Sequence, residues 1–198
     1  MARLIYPLTE SVLEKADLNA AIKVIKSTKI TMGEKTKKIE NYFKKKIVKM
    51  NALMVNSGSS ANLLIFQCLI NPMVKRLKPG DEVLVPSVTY VATYQAISAS
   101  GAIPISCDVL RKNMFLDLED AKKRLTNKTR VIMPMHYGGS SEEVQNIYDF
   151  ANDNGLRVIE DAAHSFGSSR GNKMIGSEGD IIQVGNDFRQ TVLYKVAI

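Results

Sequence analysis

The chain has 198 residues, which suits one domain or one domain and part of another. Its hydrophobic share of 45% is that of an ordinary globular core, and no run of eighteen apolar residues occurs, so no membrane span is predicted. The basic residues behind the net charge of +7 cluster as lysines at 35–49 and as Lys122-Lys123-Arg124. These read as solvated helix faces, because no aromatics interleave with them as a nucleic-acid platform requires; nucleic acid is therefore not an expected partner. An anionic ligand would account for part of the positive field.

The first residues, Met1-Ala-Arg-Leu-Ile-Tyr-Pro7, lack the apolar core and small-residue cleavage site of a signal peptide. The two cysteines, Cys68 and Cys107, lie in apolar surroundings and match no metal spacing. Both are expected to be buried thiols in a reducing, cytoplasmic setting. Residues 1–32 read as an N-terminal lead-in with a short helix carrying Leu18, Ala21, Ile22 and Ile25. A second amphipathic helix follows from Lys35, with Ile39, Phe43 and Ile47 at i, i+4 and i+8.

From Asn51 onward strands and helices alternate. Apolar runs of strand length fall at 52–55, 82–86, 103–107, 130–135 and 156–161, with helices predicted at 61–70, 90–98, 118–125 and 140–154. Ser140 and Glu143 have the spacing of a capping box, and Gly155 suits a left-handed helix end. Five such alternations imply an α/β fold, a mostly parallel sheet with helices on both faces.

Four constellations fall at the carboxyl ends of these strands, the edge where open α/β sheets bind ligands. In Asn56-Ser-Gly-Ser-Ser-Ala-Asn62, a helix start with Gly58, Ser59 and Ser60 reads either as a phosphate cradle or as a plain capped turn. It is neither a Walker motif nor a dinucleotide fingerprint. In Pro86-Ser-Val-Thr-Tyr90, Tyr90 either stacks on a flat ring or simply packs. His136 is either a site residue or a hydrogen-bonded core histidine. In Val158-Ile-Glu-Asp-Ala-Ala-His164, an apolar strand delivers Asp161 to the edge. A carboxylate buried there needs a cation or donors. The protonated ring nitrogen of pyridoxal 5'-phosphate is one such cation, for which an Asp is a standard protein partner. A sharp turn after Asp161 would bring His164 to the same ring; otherwise His164 is structural.

Taken in order, Thr31-Met-Gly-Glu34, Val55-Asn-Ser-Gly-Ser-Ser-Ala-Asn62, Lys78-Pro-Gly-Asp-Glu-Val83, Val88-Thr-Tyr-Val-Ala-Thr93, Gly101-Ala-Ile-Pro104, His136-Tyr-Gly138, Val158-Ile-Glu-Asp-Ala-Ala-His-Ser-Phe-Gly167 and Ile175-Gly-Ser-Glu-Gly-Asp-Ile181 resemble the DegT/DnrJ/EryC1/StrS family. These are sugar aminotransferases of the type I pyridoxal-phosphate fold. The resemblance implies a large cofactor-binding domain over 33–181, incomplete here, with the C-terminal small domain missing. It implies that Gly58, Ser59 and Ser60 hold the cofactor phosphate, that Tyr90 stacks on the pyridine ring, that Asp161 binds the ring nitrogen and that His164 contacts the 3-hydroxyl side. It further implies amino transfer from glutamate to a nucleotide-linked keto-sugar, and a homodimer whose sites draw on both subunits.

Two departures stand against that pattern. The family's Schiff-base lysine is expected about 28 positions beyond Asp161, where this chain has Arg189, and its accompanying serine is replaced by Val184. Arginine stays protonated and cannot form the imine. No catalytic residue is therefore assigned, and no metal site. A branch of the family that uses histidine there for sugar dehydration is not supported, because no histidine lies beyond His164. The tail, 182–198, is expected to be foreign to the fold, with Lys195 its only lysine. A sheet cut short in this way would leave a bare edge and poor solubility.

Overall fold

The computed structural model describes residues 13–31, 33–47, 51–74, 76–165, 167–179, 181–186 and 189–194, with side chains described as far as Val184. The stretch 1–7, Met32, Phe166, Asp180 and Lys195, which enter the sequence reading, lie outside the described residues. The chain divides into two compact units, Met1–Lys38 and Ile39–Ile198. In the first, α1 (Lys15–Lys26) opens with the Glu14 amide donating to Asp17 Oδ2 at 2.9 Å. Its apolar stripe, Leu18, Ile22 and Ile25, is exposed. Helix α2 (Glu34–Lys46) begins in this unit and continues into the second, where the expected stripe holds: Phe43 and Ile47 are buried and Ile39 is partly so.

The second unit contains, in chain order, β1 (Asn51–Val55), α3 (Gly58–Ile70), β2 (Glu82–Pro86), α4 (Val91–Ala99), β3 (Ile103–Cys107), α5 (Leu118–Arg124), β4 (Thr129–Ile132), α6 (Val144–Asp153), β5 (Arg157–Ala162), the short hairpin β6 (Ser169–Arg170) and β7 (Lys173–Met174), then β8 (Ile181–Asn186) and β9 (Arg189–Tyr194). Among the described residues, seven strands form one sheet in the order β1-β9-β8-β5-β4-β2-β3. Neighbours from β3 to β8 are parallel, and β9 is antiparallel to both β8 and β1. Since β1 and β8 both oppose β9, they run the same way. The carboxyl ends of β1, β2, β4, β5 and β8 therefore share one edge, as the alternation of the sequence implied.

The period-2 rule sorts each strand between two apolar layers. Val83, Val85, Val131, Met133, Ile159 and Ile181 pack with Ile65, Phe66 and Leu69 of α3 and Ala96 and Ile97 of α4. Leu84, Ile132 and Val158 pack on the other face with Ala121 of α5 and Val144, Ile147 and Ala151 of α6. A third cluster seats Phe43 and Ile47 on Ala162, Ile182 and Val184. The same alternation fixes the site: Asp161 lies on the face with Ile159, and its neighbour Glu160 lies on the opposite face with Val158.

The structure corrects three expectations. The tail is not foreign to the sheet. Ile181, Ile182 and Val184 alternate between the two layers, and β8 lies in register with β5, pairing Gln183 with Asp161. Strand β9, with Val192 beside Thr191, is strand-forming sequence that fills the place between β8 and β1. Strands β8 and β9 thus continue the sheet beyond β5. The Ser140–Glu143 capping box is not made. Glu143 occupies the N-cap position without a side-chain cap bond, because its carboxylate takes Lys112 Nζ at 2.5 Å and Asn146 Nδ2 at 2.8 Å. The hydrogen bond from Lys112 holds that carboxylate below its usual range. The left-handed end at Gly155 is present, at φ 64°.

The third correction concerns the thiols. Cys107 is buried, but Cys68 is exposed, because α3 turns Ile65, Phe66 and Leu69 to the core and leaves Cys68 outside. Burial, reinforced by nearby Asp120, pushes the Cys107 thiol up to about 11. At pH 8 a thiol reagent is expected to label one site per folded chain, Cys68, and the second only after denaturant is added. Two labels on the native chain at equal rates would contradict the packing of β3.

Candidate active site

Helix α3 starts as the chain leaves β1. Ser57 is its N-cap, and Ser57 Oγ accepts from the Ser60 amide at 3.2 Å. The amides of Gly58 and Ser59 precede the first acceptor an α-helix can offer, so they face outward at the positive end of the dipole. Ser59 is exposed, and Gly58 and Ser60 are half-buried. One turn further into the same helix, Asn62 is buried and its Nδ2 donates to Asp161 Oδ2 at 3.3 Å. That bond ties the head of α3 directly to the end of β5.

Asp161 is only 4% exposed. Its backbone is locked to the end of β4: the Asp161 amide donates to the Pro134 carbonyl at 2.9 Å, and the His136 amide donates to the Asp161 carbonyl at 3.0 Å. Oδ2 also accepts from Thr93 Oγ1 at 3.0 Å, and Oδ1 has a long contact with the Ala163 amide at 3.4 Å. Thr93 stands one turn into α4. Tyr90 is the N-cap residue of that helix and is 66% exposed, so it is not packed in the core. Its loop neighbour Thr89 bonds to Thr93 Oγ1 at 3.5 Å.

After Ala162 the chain turns sharply, in a single 3-10 turn over Ala163–Ser165. His164 is exposed and its ring lies edge-on to Tyr137, with centroids 5.9 Å apart. Gly138, at φ 58°, presents its amide to His164 Nδ1 at 3.2 Å. A nitrogen that accepts carries no proton, so the neutral ring keeps its hydrogen on Nε2. That leaves Nε2–H as the ring's donor.

On the opposite face of β5 lies a second polar group. Glu160 is 1% exposed and His136 is fully buried. His136 Nε2 meets Glu160 Oε2 at 2.9 Å, its Nδ1 donates to the Ser140 carbonyl at 3.1 Å, and the Tyr148 hydroxyl donates to Glu160 Oε1. His136 is therefore the hydrogen-bonded core histidine of the two readings. Ser140, which the sequence suggested as a helix cap, is held here through its carbonyl instead.

The sheet edge thus gathers Gly58, Ser59, Ser60, Tyr90, Asp161 and His164. It also gathers two residues whose part was not legible from spacing, Thr93 and Asn62, which lie 68 and 99 positions from Asp161. No local pattern can report a contact across such distances. Arg189 opens β9, paired in the backbone with Asn186, and its neighbour Gln190 pairs with Val55; its backbone therefore lies at this edge beside the end of β1. Val184, in the family serine's place, packs into the α2 layer, away from Asp161. Among the described residues no group of three His, Cys, Asp or Glu is placed to hold a metal ion, and no helix is long and apolar enough to cross a membrane.

Comparison with known proteins agrees with this architecture. A model of the DegT/DnrJ/EryC1/StrS aminotransferase family matches residues 11–184. The chain is 35% identical over 176 residues to a dTDP-4-dehydro-2,3,6-trideoxy-D-glucose 4-aminotransferase of Saccharopolyspora spinosa, covering 88% of this chain and 44% of that protein. It is 31% identical over 174 residues to a GDP-4-keto-6-deoxy-D-mannose 3-dehydratase of Yersinia pseudotuberculosis, covering 88% of this chain and 44% of that protein. Among solved structures, the E. coli GDP-4-keto-6-deoxy-D-mannose-3-dehydratase with bound hydrated PLP superposes with a TM-score of 0.87 at 28% identity, over 96% of this chain and 51% of that one. The chain spans about half the length of these relatives.

Proposed function

Because the chain belongs to the DegT/DnrJ/EryC1/StrS aminotransferase family, we propose that it is the cofactor-binding part of an enzyme that moves an amino group from glutamate to a nucleotide-linked keto-sugar. The supporting observation is the bond between Asn62 and Asp161, which brings a buried carboxylate within one side chain of an open helix N-terminus. Such a pair suits a ligand with a cationic ring at one end and a phosphate at the other. Pyridoxal 5'-phosphate is that ligand, and the residues fit it. The Gly58 and Ser59 amides with the Ser59 and Ser60 hydroxyls grip the phosphate. Asp161 takes the ring N–H, Tyr90 covers a ring face, and His164 offers Nε2–H to the oxygen on the 3-hydroxyl side. Bound there, the cofactor supplies an electron sink for amino-group chemistry.

The fit stops at the lysine. Arg189 occupies its expected place, and a guanidinium cannot serve as the covalent anchor or carry protons between carbons. The 198-residue chain is therefore proposed to bind the cofactor reversibly and not to turn over. The intact enzyme would act in the cytoplasm as a homodimer. The same observation favours a second reading, a non-catalytic module that holds pyridoxal or pyridoxamine phosphate, or a partner chain. Dehydration like that named for the Yersinia relative is not favoured, since His136 is sealed in the core and the lysine's place holds no histidine.

The test is a titration with pyridoxal phosphate followed by borohydride treatment and intact-mass measurement. An absorbance change that dialysis reverses, with no cofactor mass on the reduced chain, is the expected result. Cofactor reduced onto a lysine of the tail would overturn the claim of inactivity.

A further inference from the structure

We propose that Thr93 and Asn62 are positioning residues that aim one oxygen of Asp161 at the ligand; this rests on the cofactor reading above and deepens it. Both side chains bond the same oxygen. Thr93 Oγ1 reaches Oδ2 at 3.0 Å and Asn62 Nδ2 reaches it at 3.3 Å, whereas Oδ1 has only the long 3.4 Å contact with the Ala163 amide. A carboxylate has about four acceptor directions, so the crowding of donors on Oδ2 leaves Oδ1 as the oxygen free to take a ring N–H.

The donors come from different helices, α4 and α3, so the carboxyl plane is fixed by two rigid elements besides its own strand. The orientation of the Asn62 amide is chemically forced: its NH2 must face the carboxylate, because the reverse would set two acceptors together. This leaves Asn62 Oδ1 buried and without a partner among the described residues. A network that served the core alone would be expected to satisfy that atom, since buried acceptors almost always find donors. An orphan acceptor beside Asp161 is consistent with a network completed by a ligand or by water that arrives with it. The hydroxyls also form a directed chain. Thr93 gives its single hydrogen to Asp161 and accepts from Asn62 Nδ2 at 3.4 Å and from Thr89, which adjoins Tyr90. The loop that carries the stacking ring and the residue that meets the ring nitrogen are thus joined through one hydroxyl.

The experiment compares pyridoxal phosphate affinity and the absorbance maximum of the bound cofactor in the native chain, Thr93→Val, Thr93→Ser, Asn62→Ala and Asp161→Asn, with a thermal melt of each. Thr93→Val keeps the shape and removes the hydroxyl. It is expected to weaken binding about tenfold and shift the maximum, and Thr93→Ser is expected to restore both. Asn62→Ala is expected to weaken binding in the same direction and carries the test should Thr93→Val fail to fold. If Asp161→Asn weakens binding while Thr93→Val and Asn62→Ala bind like the native chain, the positioning role falls and the cofactor reading stands. If Thr93→Ser is as weak as Thr93→Val, packing rather than the hydroxyl is responsible and the role again falls. If the native chain does not bind, or Asp161→Asn binds equally well, the cofactor reading falls and takes this inference with it.

Discussion

Asp161→Asn is expected to weaken pyridoxal phosphate binding by about 10- to 100-fold, because hydrogen bonds to charged groups contribute roughly 1.5–3 kcal/mol and each 1.4 kcal/mol is a factor of ten. The substitution is nearly isosteric. The Asn oxygen can still accept from Thr93 and Asn62, so the join between α3, α4 and β5 survives. What is lost is the negative charge opposite a ring N–H, and the amide's NH2 would then face that donor. The expected signature is therefore loss of affinity with little change in melting temperature. Affinity within threefold of the native chain would remove Asp161 from the binding reading.

The second large effect is on stability and comes from the other face of the same strand. His136 Nδ1 faces the Ser140 carbonyl, which can only accept, so Nδ1 carries a hydrogen. Nε2 faces Glu160 Oε2 at 2.9 Å, and one proton must lie between them. Tyr148 supplies a further donor to the same carboxyl group. Glu160→Ala would remove the acceptor that His136 Nε2 and the Tyr148 hydroxyl share, leaving the buried ring nitrogen without its partner. Breaking a buried pair in this way costs about 3–5 kcal/mol, a large part of the roughly 5–15 kcal/mol that holds a domain. A fall in Tm of about 6–20 °C is expected for a chain of this size. Glu160→Gln is expected to be much milder. Its oxygen accepts from Tyr148, and its NH2 donates to an Nε2 that no longer needs a proton. Equal losses for Ala and Gln would show that volume, not hydrogen bonding, decides the effect.

The strands and their edge were legible because the apolar runs were short, punctuated and followed by helix starts. Asp161 could be placed from its own strand: Val158 and Ile159 are buried, and the carboxylates follow them at the carboxyl end. The partners of that carboxylate were not legible, because Asn62 and Thr93 reach it only through the packing of α3 and α4. The ring of Tyr148 lies on the packing face of α6, as an apolar residue there would; only the fold shows its hydroxyl directed at Glu160. The tail leaves the family's motifs behind but keeps a strand pattern. Ile181 to Val184 alternate like any sheet strand even where the family residues are absent. The capping box at Ser140 failed for a similar reason: local spacing was overridden by a buried histidine that needed the Ser140 carbonyl. Cys68 lies outside the core because an apolar neighbourhood in sequence does not determine which side of a helix faces inward.

The central claim, that a buried aspartate faces a protonated ring nitrogen, is tested most directly by the ring itself. Pyridoxamine phosphate labelled with ¹⁵N in the ring should be bound to the native chain and to Asp161→Asn, and its nitrogen resonance recorded for each at the same mildly alkaline pH. A protonated-pyridine resonance on the native chain, moving toward the unprotonated position in Asp161→Asn, is the expected result. A ring nitrogen that resonates identically in both would contradict the account.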